Sequence, residues 1–254
     1  MKVGLIGCGN IGSELASFID SDSFFDLAYV NDIDEENIEK LILNLKNKPE
    51  PTSLNNLVNE CELIIECANK DIVKKLLTRD LSNKKVMILS TGGLLNETLP
   101  KEGEFHIPTG AISGIDSLKA VSDLIDSLEI VTTKPSHGLN GAPYIQKNNI
   151  NLDKITEKTT IFEGSIDEAI EGFPKNINVA ATIHLATKKD IKIKIIADPN
   201  AETNTHEIIA IGSFGKLNLK TQNKPSKNPK TSYLAVLSGI QTLKNIQTNI
   251  KIGA

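Results

Sequence analysis

Arginine is almost missing from this chain: among 254 residues there is one, Arg79, so an anion site beyond its reach must rely on lysine, hydroxyls or backbone N–H groups. Cysteine is scarce too. Cys8, Cys61 and Cys67 are an odd set with no C-x-x-C pair, which argues against a disulfide framework or a zinc site and fits a reducing cytoplasm. No excess of positive charge exists: 28 Lys and Arg against 32 Asp and Glu give a formal charge of −4, with no basic field to draw the chain onto nucleic acid or anionic membrane. Long apolar runs are also lacking. Val3 to Ile6 is too short and glycine-interrupted for a signal peptide, and nothing approaches the roughly 20 apolar residues of a membrane span. Neither repeats nor low-complexity tracts occur, and the histidines and carboxylates show no ligand spacing, so no metal is expected. These exclusions leave a cytoplasmic protein whose partners are small molecules, long enough for two modest domains.

What is present begins with alternating strands and helices. Lys2 to Ile6 reads as a buried strand, Gly7 to Gly12 as a glycine turn and Ser13 to Ile19 as a helix. A strand at Leu27 to Val30, a helix at Glu35 to Leu45, strands at Leu63 to Ile65 and Val86 to Leu89, and a helix at Asp71 to Leu77 continue the pattern. Such alternation predicts an α/β domain with a doubly wound parallel sheet of Rossmann type over 1–110. Beyond Gly110 strand-like segments outnumber helices: 129–133, 159–162, 192–197, 207–213 and 216–221, with helices expected at 114–124, 165–173 and 178–187. Residues 111–230 therefore read as an antiparallel-rich α+β domain. The stretch 136–153, rich in Gly, Asn and Pro, reads as a long surface loop. A final amphipathic helix, with Leu234, Leu237, Ile240, Leu243 and Ile246 on one face, lets 231–254 pack back on the first domain.

The glycine turn has the context that gives a G-x-G-x-x-G motif its meaning. Gly7 permits the tight turn, Gly9 lets a pyrophosphate approach the backbone, and Gly12 lets helix and sheet pack closely, while Asn10 and Ile11 open the helix whose N–H groups and dipole face an anion. Asp32, 20 residues after Gly12 at the end of the second strand, can bond a ribose 2′-hydroxyl and repel a 2′-phosphate, which favours NAD and leaves NADP open. Asp34 is a rival for that role. Cys8, between two glycines, reads as a small space-filling side chain.

Dehydrogenation of an amine couples hydride transfer to proton removal, for which a histidine is the default base. His106 lies in a strand of the first domain and His184 on an apolar helix, both structural by position, while His137 falls in the expected loop. His206 opens a strand after the polar turn Asp198 to Thr205, where a rigid sheet can aim it into a cleft.

Taken together, segments along the whole chain resemble the L-aspartate dehydrogenase family: Gly4 to Gly12, Glu66-Cys67-Ala68, Leu89 to Gly92, Gly110 to Asp116, Phe162 to Ser165, Phe173 to Thr182, Ala197-Asp198-Pro199, Asn204-Thr205-His206 and Asn228 to Ser232. The F-P-x-N-x-N-V-A and N-x-H pieces are the specific ones. The resemblance implies oxidation of L-aspartate to iminoaspartate with NAD or NADP, the imine hydrolysing to oxaloacetate and ammonia or feeding quinolinate formation for NAD biosynthesis. It also implies a homodimer, cofactor contacts from Ala111 and Asn178, and His206 as the catalytic histidine. Ser113 departs from the family's usual glycine, and 136–153 reads as an insertion. Lys175 and Lys230, beside expected helix starts, are candidate partners for the substrate carboxylates. The alternatives are homoserine-dehydrogenase-like or dihydrodipicolinate-reductase-like chemistry, and a non-catalytic NAD sensor.

Overall fold

A computed structural model describes residues 1–174, 177–226, 232–250 and 252. The chain divides into two compact units, one formed by Met1–Gly110 with Ala235–Lys251, the other by Ala111–Leu234 with the stretch from Ile252.

In the first unit the chain runs through β1 (Lys2–Ile6), α1 (Asn10–Asp20), β2 (Asp26–Asn31), α2 (Glu35–Asn44), β3 (Glu50–Pro51), α3 (Leu54–Glu60), β4 (Leu63–Glu66), α4 (Lys70–Leu77), β5 (Lys85–Ile88) and β6 (Glu104–His106). The six strands are parallel in the order β3-β2-β1-β4-β5-β6. The order reverses between β1 and β4, which makes their carboxyl ends the crevice where such sheets bind ligands. Val3, Leu5, Leu63, Ile64, Ile65, Val86, Met87 and Ile88 are each fully buried, as strands covered on both faces require. Helix α1 turns Leu15, Ala16 and Ile19 into that core. Asp34 caps α2 and Asn69 caps α4 through their side-chain oxygens, which satisfies first-turn N–H groups. Helix α3, capped by Ser53, buries only Leu57 and Val58. Leu54, Leu57 and Val58 do have helical spacing, but seven residues are too short a window for that period to stand out in the sequence.

The second unit contains α5 (Ile115–Ala120), β7 (Ile125–Pro135), α6 (Pro143–Lys147), β8 (Thr159–Gly164), α7 (Ile166–Gly172), α8 (Asn178–Thr187), β9 (Lys192–Asp198), β10 (Thr205–Gly212) and β11 (Gly215–Gln222). Its sheet runs β11-β10-β7-β9-β8, antiparallel except for the β7–β9 pair. The capping box expected at Ser165 and Glu168 forms in full. The stretch 136–153 is not a long surface loop. It holds α6 and two short 3-10 turns and buries Leu139, Ile145 and Leu152, while Tyr144 packs against Phe162 and Phe173 at ring-centroid distances of 5.2 and 5.4 Å. Turn residues dominate its composition, but Leu139, the adjacent Tyr144 and Ile145, and Leu152 anchor it.

Helix α9 (Tyr233–Gln247) returns to the first unit and buries Val236, Gly239 and Leu243. Its inward stripe is set differently from the one expected, because Leu237 is 41% exposed. Gly239 takes the inward position over Leu15 and Met87, with Ile240 and Ile246 flanking it. Among the described residues no helix is long and apolar enough to cross a membrane, and no cluster of His, Cys, Asp and Glu could hold a metal ion.

Candidate functional site

In the first unit the glycine turn sits at the carboxyl end of β1. Gly7 has φ +98°, a conformation that L side chains rarely adopt, and a Cβ there would lie 2.8 Å from the Ala68 nitrogen. A Cβ on Gly12 would lie 2.0 Å from the Gly7 carbonyl oxygen, so only glycine lets α1 start this close to the turn. Gly9 is the N-cap of α1 and offers no side-chain cap. A Cβ on Gly9 would meet nothing within 4 Å, so the space above the cap is open. An open space over an uncapped helix start suits a pyrophosphate, and the residues present fit a dinucleotide. Asn10 and Ile11 form the first turn of that helix.

Asp32 stands directly after β2. One carboxylate oxygen accepts the Cys8 N–H at 2.6 Å and the other the Asp34 N–H at 2.9 Å, which ties Asp32 to the glycine turn. Its rival Asp34 is engaged elsewhere, accepting the Glu36 N–H at 3.0 Å as the cap of α2. Cys8 is buried, and burial followed by the neighbouring Asp32 carboxylate pushes its thiol up to about 12, so it fills space as an unreactive thiol. Arg79 lies exposed just past α4, at the edge of the sheet opposite the glycine turn.

Sequence reasoning gave no role to Glu66, the last residue of β4. It is wholly buried and accepts the Ala68 N–H at 2.8 Å and the Ser90 N–H at 3.1 Å, joining the turns that follow β4 and β5 at the switch point. Burial raises its carboxyl to about 6 against these hydrogen bonds. The folded state thus holds a proton between pH 4.5 and 6 that the unfolded chain releases, so the contribution of Glu66 to stability is full below 4.5 and is lost as pH rises through 6. Glu66→Gln removes this titration. Its melting temperature relative to wild type is expected to climb between those pH values, by the equivalent of about 2 kcal/mol. A flat difference in paired thermal melts would show that the carboxyl does not titrate there.

In the second unit the chemistry gathers at one end of the sheet, where β10 begins and β7, β9 and β11 end. His206 is 6% exposed and stands across from Thr132 of β7 and Thr221 of β11. Its Nδ1 lies 2.9 Å from the Thr132 hydroxyl. With Nδ1–H donating to that oxygen, Nε2 keeps its lone pair and the ring has one orientation. Burial first, and the Lys134 charge second, lower the imidazole to about 4, so it is neutral at neutral pH. Burial alone lowers the half-buried Lys134 amine to about 8.

The Ala111 carbonyl accepts the Nδ2 group of buried Asn223 at 2.9 Å, and Ser232 donates its hydroxyl to the Asn223 Oδ1 at 2.8 Å. Ser113 bonds the Thr221 hydroxyl at 2.9 Å, so its side chain has a partner that glycine would lack. Asn178 is the exposed first residue of α8. Two other histidines take the positions expected of them, His106 beside Glu104 in β6 and His184 against the Lys189 carbonyl at 2.9 Å, while His137 is exposed but stands in a 3-10 turn and not in a loop. Lys175 and Lys230 lie outside the described residues.

Comparison with known proteins now bears on these two sites. Residues 116–246 match the family model described as aspartate dehydrogenase, C-terminal, and residues 7–102 match the homoserine dehydrogenase NAD-binding domain. An L-aspartate dehydrogenase of Nitrosopumilus maritimus is 39% identical, the match covering 99% of both chains. One of Methanosarcina acetivorans is 40% identical over 100% of this chain and 99% of its own. The chain belongs to the L-aspartate dehydrogenase family.

The crystal structure of the aspartate dehydrogenase of Thermotoga maritima superposes with a TM-score of 0.77 at 27% identity, covering 100% of this chain and 99% of that one. A myo-inositol dehydrogenase of Lactobacillus casei shares the fold at a TM-score of 0.55 and 14% identity. Within the aspartate dehydrogenase family, then, this chain joins an NAD-binding domain to a mixed-sheet unit that carries His206.

Proposed function

We propose that this protein oxidises L-aspartate to iminoaspartate, with NAD as the favoured acceptor and NADP as a second. The observation that carries the reading is His206: a buried, neutral imidazole held by Thr132 where an interior strand begins, in a chain similar from end to end to L-aspartate dehydrogenases. Residues 1–110 with the returning helix form the cofactor domain, and 111–230 the catalytic and dimerisation domain.

Bound NAD supplies a hydride acceptor. Gly7, Gly9, Asn10, Ile11 and Gly12 would hold its pyrophosphate, Asp32 would accept a ribose hydroxyl on a lone pair that its N–H partners leave open, and Ala111 and Asn178 would make further contacts with the cofactor. His206 Nε2 takes a proton from the α-ammonium group. The freed nitrogen lone pair forms the C=N bond as the Cα hydrogen leaves with its electron pair. A substrate carboxylate arriving nearby stabilises the imidazolium, which raises the basicity that burial depresses in the free protein. Iminoaspartate hydrolyses to oxaloacetate and ammonia, or passes to quinolinate formation for NAD biosynthesis. The working form is a cytoplasmic homodimer.

The test is the initial rate of NADH and NADPH formation with L-aspartate, homoserine, glutamate and malate at equal concentration. Aspartate-selective reduction, faster with NAD, is the expected result. Turnover of homoserine in its place would shift the reading to the chemistry for which the matched nucleotide domain is named.

A further inference from the structure

The inward face of the second sheet is apolar along most of its length. Leu128 and Ile130 of β7, Ile193 and Ile195 of β9, and Ile208 and Ala210 of β10 all point into it and are buried. At the edge where β10 begins, the same alternation carries β7 from Thr132 to Lys134, two residues farther on and therefore on the same face, about 7 Å along the strand. His206 lies opposite Thr132 on that face. The register partner of Lys134 on β9 is Ala197, a fully buried small residue. Lys192 and Lys194 of β9 stand on the outer face, where the alternation places them opposite buried Ile193, Ile195 and Ala197. Lys134 is thus the cation that the strand pattern turns inward beside the imidazole.

We propose that the Lys134 ammonium is the seat for a carboxylate of the amino-acid substrate, fixing that substrate against His206. The inference rests on reading this chain as an amino-acid dehydrogenase. A substrate with two carboxylates needs at least one fixed cation, and the single arginine stands in the first unit, at the sheet edge away from its glycine turn. An ammonium on a stem packed over apolar strands attracts a carboxylate more strongly than one in water does. Thr132, between the apolar floor and the edge, orients the imidazole on one side while Lys134 meets the anion on the other. The depressed amine of the free protein agrees with this placement, and so does its effect on His206. A carboxylate seated on Lys134 screens the charge that disfavours the imidazolium, so substrate binding itself prepares the base.

Lys134→Met keeps the length of the stem and removes the charge. The expected result is a roughly 10- to 100-fold rise in KM for L-aspartate and a matching loss of succinate affinity by calorimetry, the scale of one lost charge-assisted hydrogen bond. NADH affinity is expected to stay as in wild type, and Lys134→Arg to restore part of the succinate binding. A folded Lys134→Met protein that binds succinate as wild type does would overturn the proposal. Should that variant not fold, wild-type protein carrying 13C-methylated lysines decides, with Lys134→Arg identifying the resonance. A succinate-dependent shift of the Lys134 signal supports the seat, and an unmoved signal refutes it. Succinate binding needs no turnover, so a wild type that binds succinate through Lys134 but does not oxidise aspartate sinks the functional reading while the anion seat stands.

Discussion

Replacing His206 by Ala lowers kcat for L-aspartate oxidation by roughly 10²- to 10⁴-fold, the span of a lost general base. NADH affinity stays unchanged, because the residues assigned to the cofactor lie on other elements. The ring sits at a strand end, bonded to one hydroxyl, so its loss leaves the ladder between β7 and β10 intact. Steady-state rates, circular dichroism and NADH titration on one preparation check this. Turnover preserved in a folded variant would falsify the assignment and favour a protein that senses NAD without using it. The imidazole also leaves a trace in stability. Its folded value of about 4 lies below the ordinary 6.5, so the unfolded chain binds the extra proton between them, and this contribution to stability is lost as pH falls from about 6.5 to 4. The histidine and Glu66 therefore act in opposite directions over the mildly acidic range.

A second large effect is expected at the glycine turn. Gly12→Val abolishes measurable NADH binding and lowers the melting temperature, since even its Cβ would need the space held by the Gly7 carbonyl, 2.0 Å away. Overpacking of this kind costs about 1–3 kcal/mol, and here the obstacle is backbone, which yields less than a side chain. Gly9→Ala separates cofactor binding from stability. Its Cβ meets nothing within 4 Å, so the fold is expected to melt as wild type does while the methyl group stands where the pyrophosphate approaches the helix cap. Fluorescence titration with NADH, paired with thermal melts, distinguishes the two. Normal NADH affinity in folded Gly9→Ala would mean that the pyrophosphate lies elsewhere.

The features legible in the sequence were those written in consecutive residues. The glycine turn, its flanking strand and helix, and the capping box at Ser165 each occupy a single short window, and local chemistry decides them. Asp32 and Asp34 could not be separated by position alone. Capping separated them, because a helix start two residues beyond Asp32 claims the second carboxylate. The site residues that escaped notice depend on partners far along the chain. Glu66 matters because it joins Ala68 to Ser90, and Asn223 because it holds the carbonyl of Ala111, 112 positions away. Lys134 did leave a sign, since it continues the alternation through Leu128, Ile130 and Thr132, but a lysine at a strand end ordinarily reads as solvated. The stretch 136–153 misled for the opposite reason, its turn residues hiding the few apolar side chains that fix it.

Helix α9 places Leu243 in the same core as Val3, Leu15 and Met87. During synthesis, the first unit's sheet leaves the ribosome well before the residues that close its core, whereas the sheet and helices of the second unit have all been made when α9 begins to emerge. The second unit can therefore finish folding first, and the cofactor-type domain, although encoded first, is sealed last.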